Sequence, residues 1–260
     1  MLMANELPED LETEILLWLP VASLLRFKCV CKPGGREAEI YVAGSCNGLV
    51  CLHDSGALCV VIWNPATNET KVVPKSYLPR NAPAGYRTTV ESMGFGFDAK
   101  TNDYKIINVR SFRHPSIIQS ENIFQTEVYS LSADSWRKVD GPPCLSMIVL
   151  KLRGNTSMGW LLVSHEQLGC KFSEVYFDIW LLLEVGVKDS WTKLSTIGPL
   201  TEIKELLGFW KNETMLLEKC DGQLVLYDPS TKEMTNLQIH EDRYLLQLVT
   251  YTETLVSVKG

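Results

Sequence analysis

Long hydrophobic runs are missing from this chain. Apolar stretches such as residues 15–19 and 179–183 are far too short to cross a bilayer, which takes about 20 residues as a helix. The N-terminus also lacks the basic region, apolar core and small-residue cleavage site of a secretory signal. Together these absences predict an intracellular protein, cytoplasmic with the nucleus also open. A surplus of positive charge is missing too. Lys and Arg number 25 against 31 Asp and Glu, a net charge of −6. General nucleic-acid binding wants a basic face, so it is disfavoured. A basic protein partner is compatible with this balance.

Histidine is scarce. The four present, at 53, 114, 165 and 240, are scattered, with no second His or Cys at metal-ligand spacing. Cys29-x-Cys31 falls on a predicted helix and has no second pair, so zinc is not expected. No metal or cofactor site is predicted. The eight cysteines, at 29, 31, 46, 51, 59, 144, 170 and 220, are not read as a disulfide framework. In a reducing compartment they are expected as free thiols, mostly buried as small hydrophobes. The sequons at Asn68, Asn155 and Asn212 read as turn residues in the absence of a secretory signal. What the chain does have is 260 residues, 45% hydrophobic. That is enough for one large all-β domain plus a small appendage.

The appendage is residues 7–32. Pro8 suits a first helical turn, and Glu9 and Asp10 sit where the helix dipole favours negative charge. Leu11, Ile15, Trp18 and Leu19 then form one apolar stripe. Pro20 ends that helix. Ser23 can cap a second, whose apolar face holds Leu24, Phe27 and Cys31 beside basic Arg26, Lys28 and Lys32. Helices this short are marginal alone, so their apolar faces need a partner.

The ordered string resembles an F-box of plant F-box proteins. It is carried by Leu7-Pro8, Leu19-Pro20 and Ser23-Leu24-Leu25-Arg26-Phe27-Lys28-Cys29-Val30. The resemblance implies docking onto a Skp-type adaptor and, through a cullin, membership of a ubiquitin ligase. On that reading Leu16 and Leu19 are the anchors, with Leu7, Pro8, Ile15, Pro20, Leu24 and Phe27 beside them. The family motif continues into a third helix. Here Pro33-Gly34-Gly35 follows, which breaks helices. The F-box is read as truncated, over residues 5–32.

Residues 33–43 read as a linker. After Glu39, within the last residues of that linker, the periodicity turns strand-like. Short β-branched or apolar runs at 40–43, 49–52, 58–63 and 70–73 are separated by Asn47-Gly48, Asp54-Ser55-Gly56 and Asn64-Pro65. Hairpins are predicted over 91–109 and 127–139, and polar loops over 77–87 and 111–122. A loose repeat emerges: an aromatic-led strand, a polar turn, then another strand. Its anchors, Trp63, Tyr129, Trp180 and Tyr227, are spaced by 66, 51 and 47 residues. Periods near ~40–50 residues mark propeller blades. Small sheets that cannot bury both faces alone stack radially. A β-sandwich with hairpins of similar turn chemistry is the plainer alternative.

A second resemblance covers 44–258. Gly44-Ser45-Cys46-Asn47-Gly48, Trp63-Asn64-Pro65, Gly94-Phe95-Gly96-Phe97-Asp98, Asn102-Asp103-Tyr104-Lys105, Ser135-Trp136-Arg137, Ser190-Trp191-Thr192-Lys193 and Leu226-Tyr227-Asp228-Pro229 follow one another. In that order they resemble the plant F-box-associated interaction domain. That domain occurs in F-box/kelch-repeat proteins and in the S-locus F-box proteins of pollen. The fold class implied is mainly β and propeller-like. Residues 164–173 look too short for an expected strand pair, so a blade is predicted to be incomplete.

Two catalytic motifs fail on context. Gly44-Ser45-Cys46-Asn47-Gly48 fits a nucleophile elbow, but a strand rather than a helix follows it. Gly94-Phe95-Gly96 fits a relaxed dinucleotide fingerprint, but no helix follows. No catalytic residue is assigned. The chain is read as a non-catalytic recognition subunit of an SCF-type ligase. Its β-domain loops would hold a target, for instance a basic self-incompatibility ribonuclease. Carboxylates such as Asp98, Asp103, Glu241 and Asp242 would help select it. The alternative is a stand-alone β-propeller binding module whose F-box does not dock.

Overall fold

The computed structural model describes residues 40–54, 59–76, 82–115, 123–139, 148–151, 160–166, 174–182, 190–209, 214–240 and 253–258. The predicted F-box and its eight adaptor-facing residues lie outside these. So do Cys29-x-Cys31, Glu241-Asp242 and the outer parts of both polar loops.

Sixteen strands are described. They are β1 (Ile40–Cys46), β2 (Leu49–Asp54), β3 (Val60–Asn64), β4 (Glu69–Val72), β5 (Arg87–Asp98), β6 (Asp103–Arg113), β7 (Ile123–Ser130) and β8 (Ser135–Val139). Then follow β9 (Ile148–Lys151), β10 (Trp160–Glu166), β11 (Val175–Leu182), β12 (Trp191–Leu200), β13 (Ile203–Phe209), β14 (Met215–Lys219), β15 (Gln223–Asp228) and β16 (Glu233–His240). They form four four-stranded antiparallel sheets, each a meander of four consecutive strands. The first strands β1, β5 and β9 contact one another, and β9 contacts β13. The first strand of each sheet is therefore innermost, and the sheets are the blades of a propeller. No helix among the described residues is long and apolar enough to cross a membrane.

Alternating side chains build the core between blades. Ile106 and Ile107 are adjacent on β6 and both fully buried, because successive strand residues point to opposite faces. Ile106 joins Cys46, Leu49, Cys51 and Ile62 of the first blade. Ile107 joins the side packed on Trp180 and Trp191 of the third. Each such burial contributes about 2 kcal/mol. Phe177 and Ile179 pack in the same way on Ile203, Leu217 and Tyr227 of the fourth blade.

The repeat anchors mark a fixed place in this plan. Trp63, Tyr129, Trp180 and Tyr227 lie on β3, β7, β11 and β15, the third strand of each blade. Three of the third-to-fourth-strand hairpins share one turn. Asn64 pairs with Glu69, Ser130 with Ser135 and Asp228 with Glu233, leaving four residues between them. The last of the four is left-handed each time: Asn68 at φ 58°, Asp134 at 47° and Lys232 at 61°. The β5–β6 hairpin has the same form, with Asp98 opposite Asp103 and Asn102 at φ 51°. The residue opening each turn caps it. Asn64 Oδ1 accepts the N–H of Ala66, Asp98 Oδ1 that of Lys100, and Asp228 Oδ1 that of Ser230. Short Asx side chains both cap a turn and tolerate φ > 0.

Three expectations are corrected here. The third blade is complete. Its first strand, β9, carries no turn signal and escapes the sequence reading. It pairs with β10, which in turn pairs directly with β11 from Trp160 with Leu182 to Glu166 with Tyr176. β6 also runs on to Arg113, through Ser111 and Phe112, both buried, where a polar loop was expected. Finally, Cys59 is disulfide-bonded rather than free. Cys51, buried in the core, keeps its thiol as expected.

Candidate functional site

A meander gives each blade two unlike ends. One carries the two-residue turn at 47–48 and the four-residue turns at 65–68, 99–102, 131–134 and 229–232. We call it the turn end. The opposite, loop end carries the connection from β4 to β5 and the loop from β6 to β7. Both segments predicted to hold a target therefore leave from one end of adjoining strands.

Their bases touch. Tyr86 packs edge-on against His114, with centroids 5.3 Å apart and planes at 87°. The Tyr86 N–H donates to the Pro83 carbonyl at 2.9 Å, closing a tight turn. Gly85 stands inside that turn at φ +84°, and a Cβ there would lie 3.0 Å from His114 Nε2. Arg87 and Arg113 face each other across β5 and β6, both exposed. Exposed Lys75 lies on the incoming connection. The rim near these loops is therefore basic among the described residues.

Buried charge supports that rim. Arg110 Nη2 lies 3.0 Å from Glu127 Oε1, and both side chains are buried. Asn108 Nδ2 donates to the same oxygen at 3.1 Å. The Ser76 hydroxyl donates to Glu127 Oε2 and ties the β4–β5 connection to the second blade. Trp136 Nε1 donates to the Pro74 carbonyl at 2.6 Å, and Lys71 pairs with Asp134 at 2.7 Å. The contacts of Ser76 and Pro74 hold the base of the first loop against the second blade. Loops placed this way by a scaffold are where recognition concentrates.

The turn end is closed by a different device. Asn64 Nδ2 donates to the carbonyls of Thr254 and Val256, at 3.0 and 2.7 Å. The Val258 N–H donates to Glu69 Oε2 at 3.2 Å. The Val258 side chain is fully buried in the cluster between the first two blades. Sequence reasoning found Trp63-Asn64-Pro65 as a repeat element, but nothing in it announces a partner near the other end of the chain. The Tyr86–His114 contact and the Glu127 network were equally hidden. Their residues carry no motif, and only strand pairing brings them together.

The rejected catalytic motifs sit as their context suggested. Cys46 ends β1, Asn47 and Gly48 form a left-handed two-residue turn at φ 49° and 77°, and Leu49 opens β2 opposite Cys46. Burial pushes the neighbouring Cys51 thiol far above its ordinary range. Phe95, from the glycine-rich run, is on innermost β5 in the core. Asp98, half-buried, and Asp103, buried, are two of the carboxylates expected to face a basic partner, and both are engaged within the protein. Both pair with Lys105, at 2.6 and 3.9 Å, and Asp103 accepts the Ser130 hydroxyl and the Ser132 N–H.

Comparison with known proteins agrees with this architecture. Residues 20–166 match the F-box associated beta propeller domain, and residues 5–33 match the F-box domain. The chain is 23% identical to F-box/kelch-repeat protein At3g23880 of Arabidopsis thaliana, over 88% of this chain and 90% of that one. It is 24% identical to F-box protein CPR1 of the same plant, over 80% of this chain and 66% of that one. To F-box/kelch-repeat protein At3g17530, also of Arabidopsis thaliana, it is 26% identical over 68% and 59%. The propeller match alone takes in more than half of the chain and ends on the third blade's second strand. With the F-box match before it and four blades in meander order, the chain belongs to the plant F-box proteins that carry an F-box associated β-propeller domain.

Proposed function

We propose that this chain is the target-binding subunit of an SCF-type ubiquitin ligase. The single observation that carries the reading is the succession, on one chain, of an F-box and a propeller of the F-box associated family. An adaptor-docking motif followed on the same chain by a loop-bearing propeller is the make-up of a substrate-recognition protein. The chain then contributes proximity, and the ubiquitin chemistry belongs to other subunits. Residues 5–33 dock a Skp-type adaptor through Leu16 and Leu19, flanked by Leu7, Pro8, Ile15, Pro20, Leu24 and Phe27, and the adaptor links to a cullin. The loop end of the propeller, around Tyr86, Arg87, Arg113 and His114, holds the target. A ribonuclease-like basic target is the weaker version, because Asp98 and Asp103 are engaged within the protein and the loop bases carry arginine.

The test is adaptor pull-down with the full chain. Leu19→Ala should weaken capture about thirtyfold, since truncating a central interface anchor costs about 2 kcal/mol. The propeller's circular dichroism should not change. Undiminished capture by the mutant overturns the docking assignment. A wild-type chain that captures no adaptor favours a stand-alone propeller module.

A further inference from the structure

We infer that the turn end of the first two blades is a binding site for an extended peptide, filled here by the chain's own residues 253–258. The site has three parts. Asn64 Nδ2 reads two carbonyls, of Thr254 and Val256, two positions apart. Glu69 Oε2 reads the N–H of Val258. A pocket in the inter-blade core takes the Val258 side chain, which is wholly removed from solvent. Two carbonyls at i and i+2 and an apolar side chain with its N–H at i+4 define an extended segment running across the blade rim.

Asn64 and Glu69 contact only backbone atoms of the segment. Leu255 is 88% exposed, and the side chains of Val256 and Ser257 also face solvent. An occupant therefore needs one small apolar residue at i+4 and an extended backbone, while the exposed i+1 position is free in sequence. Main-chain hydrogen bonds supply affinity and the single pocket supplies selectivity, as in other extended-peptide sites. Asn64 is itself held ready, because its Oδ1 accepts the N–H groups of Ala66 and Thr67. The amide is fixed by its own turn before any segment arrives. The chain's own segment has an advantage of tethering rather than of contact area. A linked ligand competes at an effective concentration in the mM range. A free segment of the same chemistry replaces it once that advantage is removed. This site is at the end opposite the loops and does not depend on the adaptor reading.

The experiment uses the full chain and a fluorescently labelled synthetic peptide with the sequence of residues 251–258. Val258→Asp empties the site by placing a charge in the apolar pocket. Fluorescence anisotropy should show saturable binding to that variant and at least tenfold weaker binding to wild type. Adding Asn64→Ala to V258D, or giving the peptide Asp at the position of Val258, should abolish binding. A folded V258D chain that takes up no peptide at mM concentration overturns the proposal, as does equal binding by wild type and V258D. Should V258D not fold, hydrogen exchange on wild type decides. Excess unlabelled peptide should speed exchange of the tethered Val258 amide at least tenfold while the Ile106 amide is unaffected. An unchanged Val258 rate overturns the proposal.

Discussion

Lys105 Nζ lies 2.6 Å from Asp98 Oδ2 across the β5–β6 hairpin, with only 5% of the lysine side chain exposed. Thr101 Oγ1 donates to the same carboxylate oxygen, and Lys105 in turn reaches the threonine hydroxyl. One ammonium thus balances the two carboxylates that bound the turn.

Replacing Lys105 with methionine leaves those carboxylates with no cation. Breaking a buried pair from one side costs about 3 kcal/mol, read as a lower urea midpoint at neutral pH. Burial alone would raise the Asp98 carboxyl. The hydrogen bonds from Lys105 and Thr101 and the lysine charge outweigh it and hold the carboxyl below its usual range. A depressed folded pKa gives stability that is full above the unfolded value and lost as pH falls through the folded one. The gap between wild type and Lys105→Met should therefore be constant near neutrality and narrow below about pH 4. A gap that does not change with pH would remove the electrostatic account.

Gly44 sits on innermost β1 at φ +148°, and a Cβ there would lie 3.2 Å from the Phe95 carbonyl oxygen and 3.4 Å from its nitrogen. Backbone meets backbone at this point, so neither neighbour has a side chain to swing away. Gly44→Ala combines a disfavoured φ with that clash and should cost about 2 kcal/mol. Thermal unfolding would show it as a lower Tm.

Asn64 has two duties that two substitutions separate. Asn64→Asp keeps the oxygen that caps the turn but sets a carboxylate against the carbonyls of Thr254 and Val256. Asn64→Ala loses both duties, at about 2 kcal/mol for a buried network with partners left unpaired. Protease cleavage within 253–258 should rise in both variants. The shape of the β3–β4 turn, followed by amide exchange at Thr67, should survive only in the aspartate variant.

Lys232 fills a left-handed turn position that Asn68 and Asn102 fill elsewhere. Lysine gains nothing there from its side chain, while glycine accepts φ > 0 freely. Lys232→Gly should be neutral or raise stability by up to about 1 kcal/mol. A clear loss would mean that the side chain makes a needed contact.

The fold was legible where local chemistry repeats. Trp63, Tyr129, Trp180 and Tyr227 each precede a polar turn, and that spacing located the third strand of all four blades. Cys46-Asn47-Gly48 read as a hairpin because two left-handed residues in a row allow little else. What stayed hidden was non-local or unpunctuated. β9 is a four-residue run, Ile148-Val149-Leu150-Lys151, with no turn signal of its own. Asp98 and Asp103 looked like free surface charge because their aspartate-flanked turn is polar, and only the fold brings Lys105 to pair with both. The contacts around Asn64, Tyr86 and Glu127 depend on which strands become neighbours. A single sequence carries little of that information.

The meander has a kinetic consequence. Every strand in the four sheets pairs only with the strand before or after it, so contact order within blades is low and each can form soon after its own residues are made. The bonds from Asn64 to Thr254 and Val256 span 190 and 192 residues. They cannot exist until nearly the whole described chain has been synthesised. At about 5–20 residues per second, the first blade waits roughly ten to forty seconds for that contact. During this interval the pocket that will hold Val258 is open on a nascent chain. A chaperone, or another chain made nearby, meets the first blade in that state.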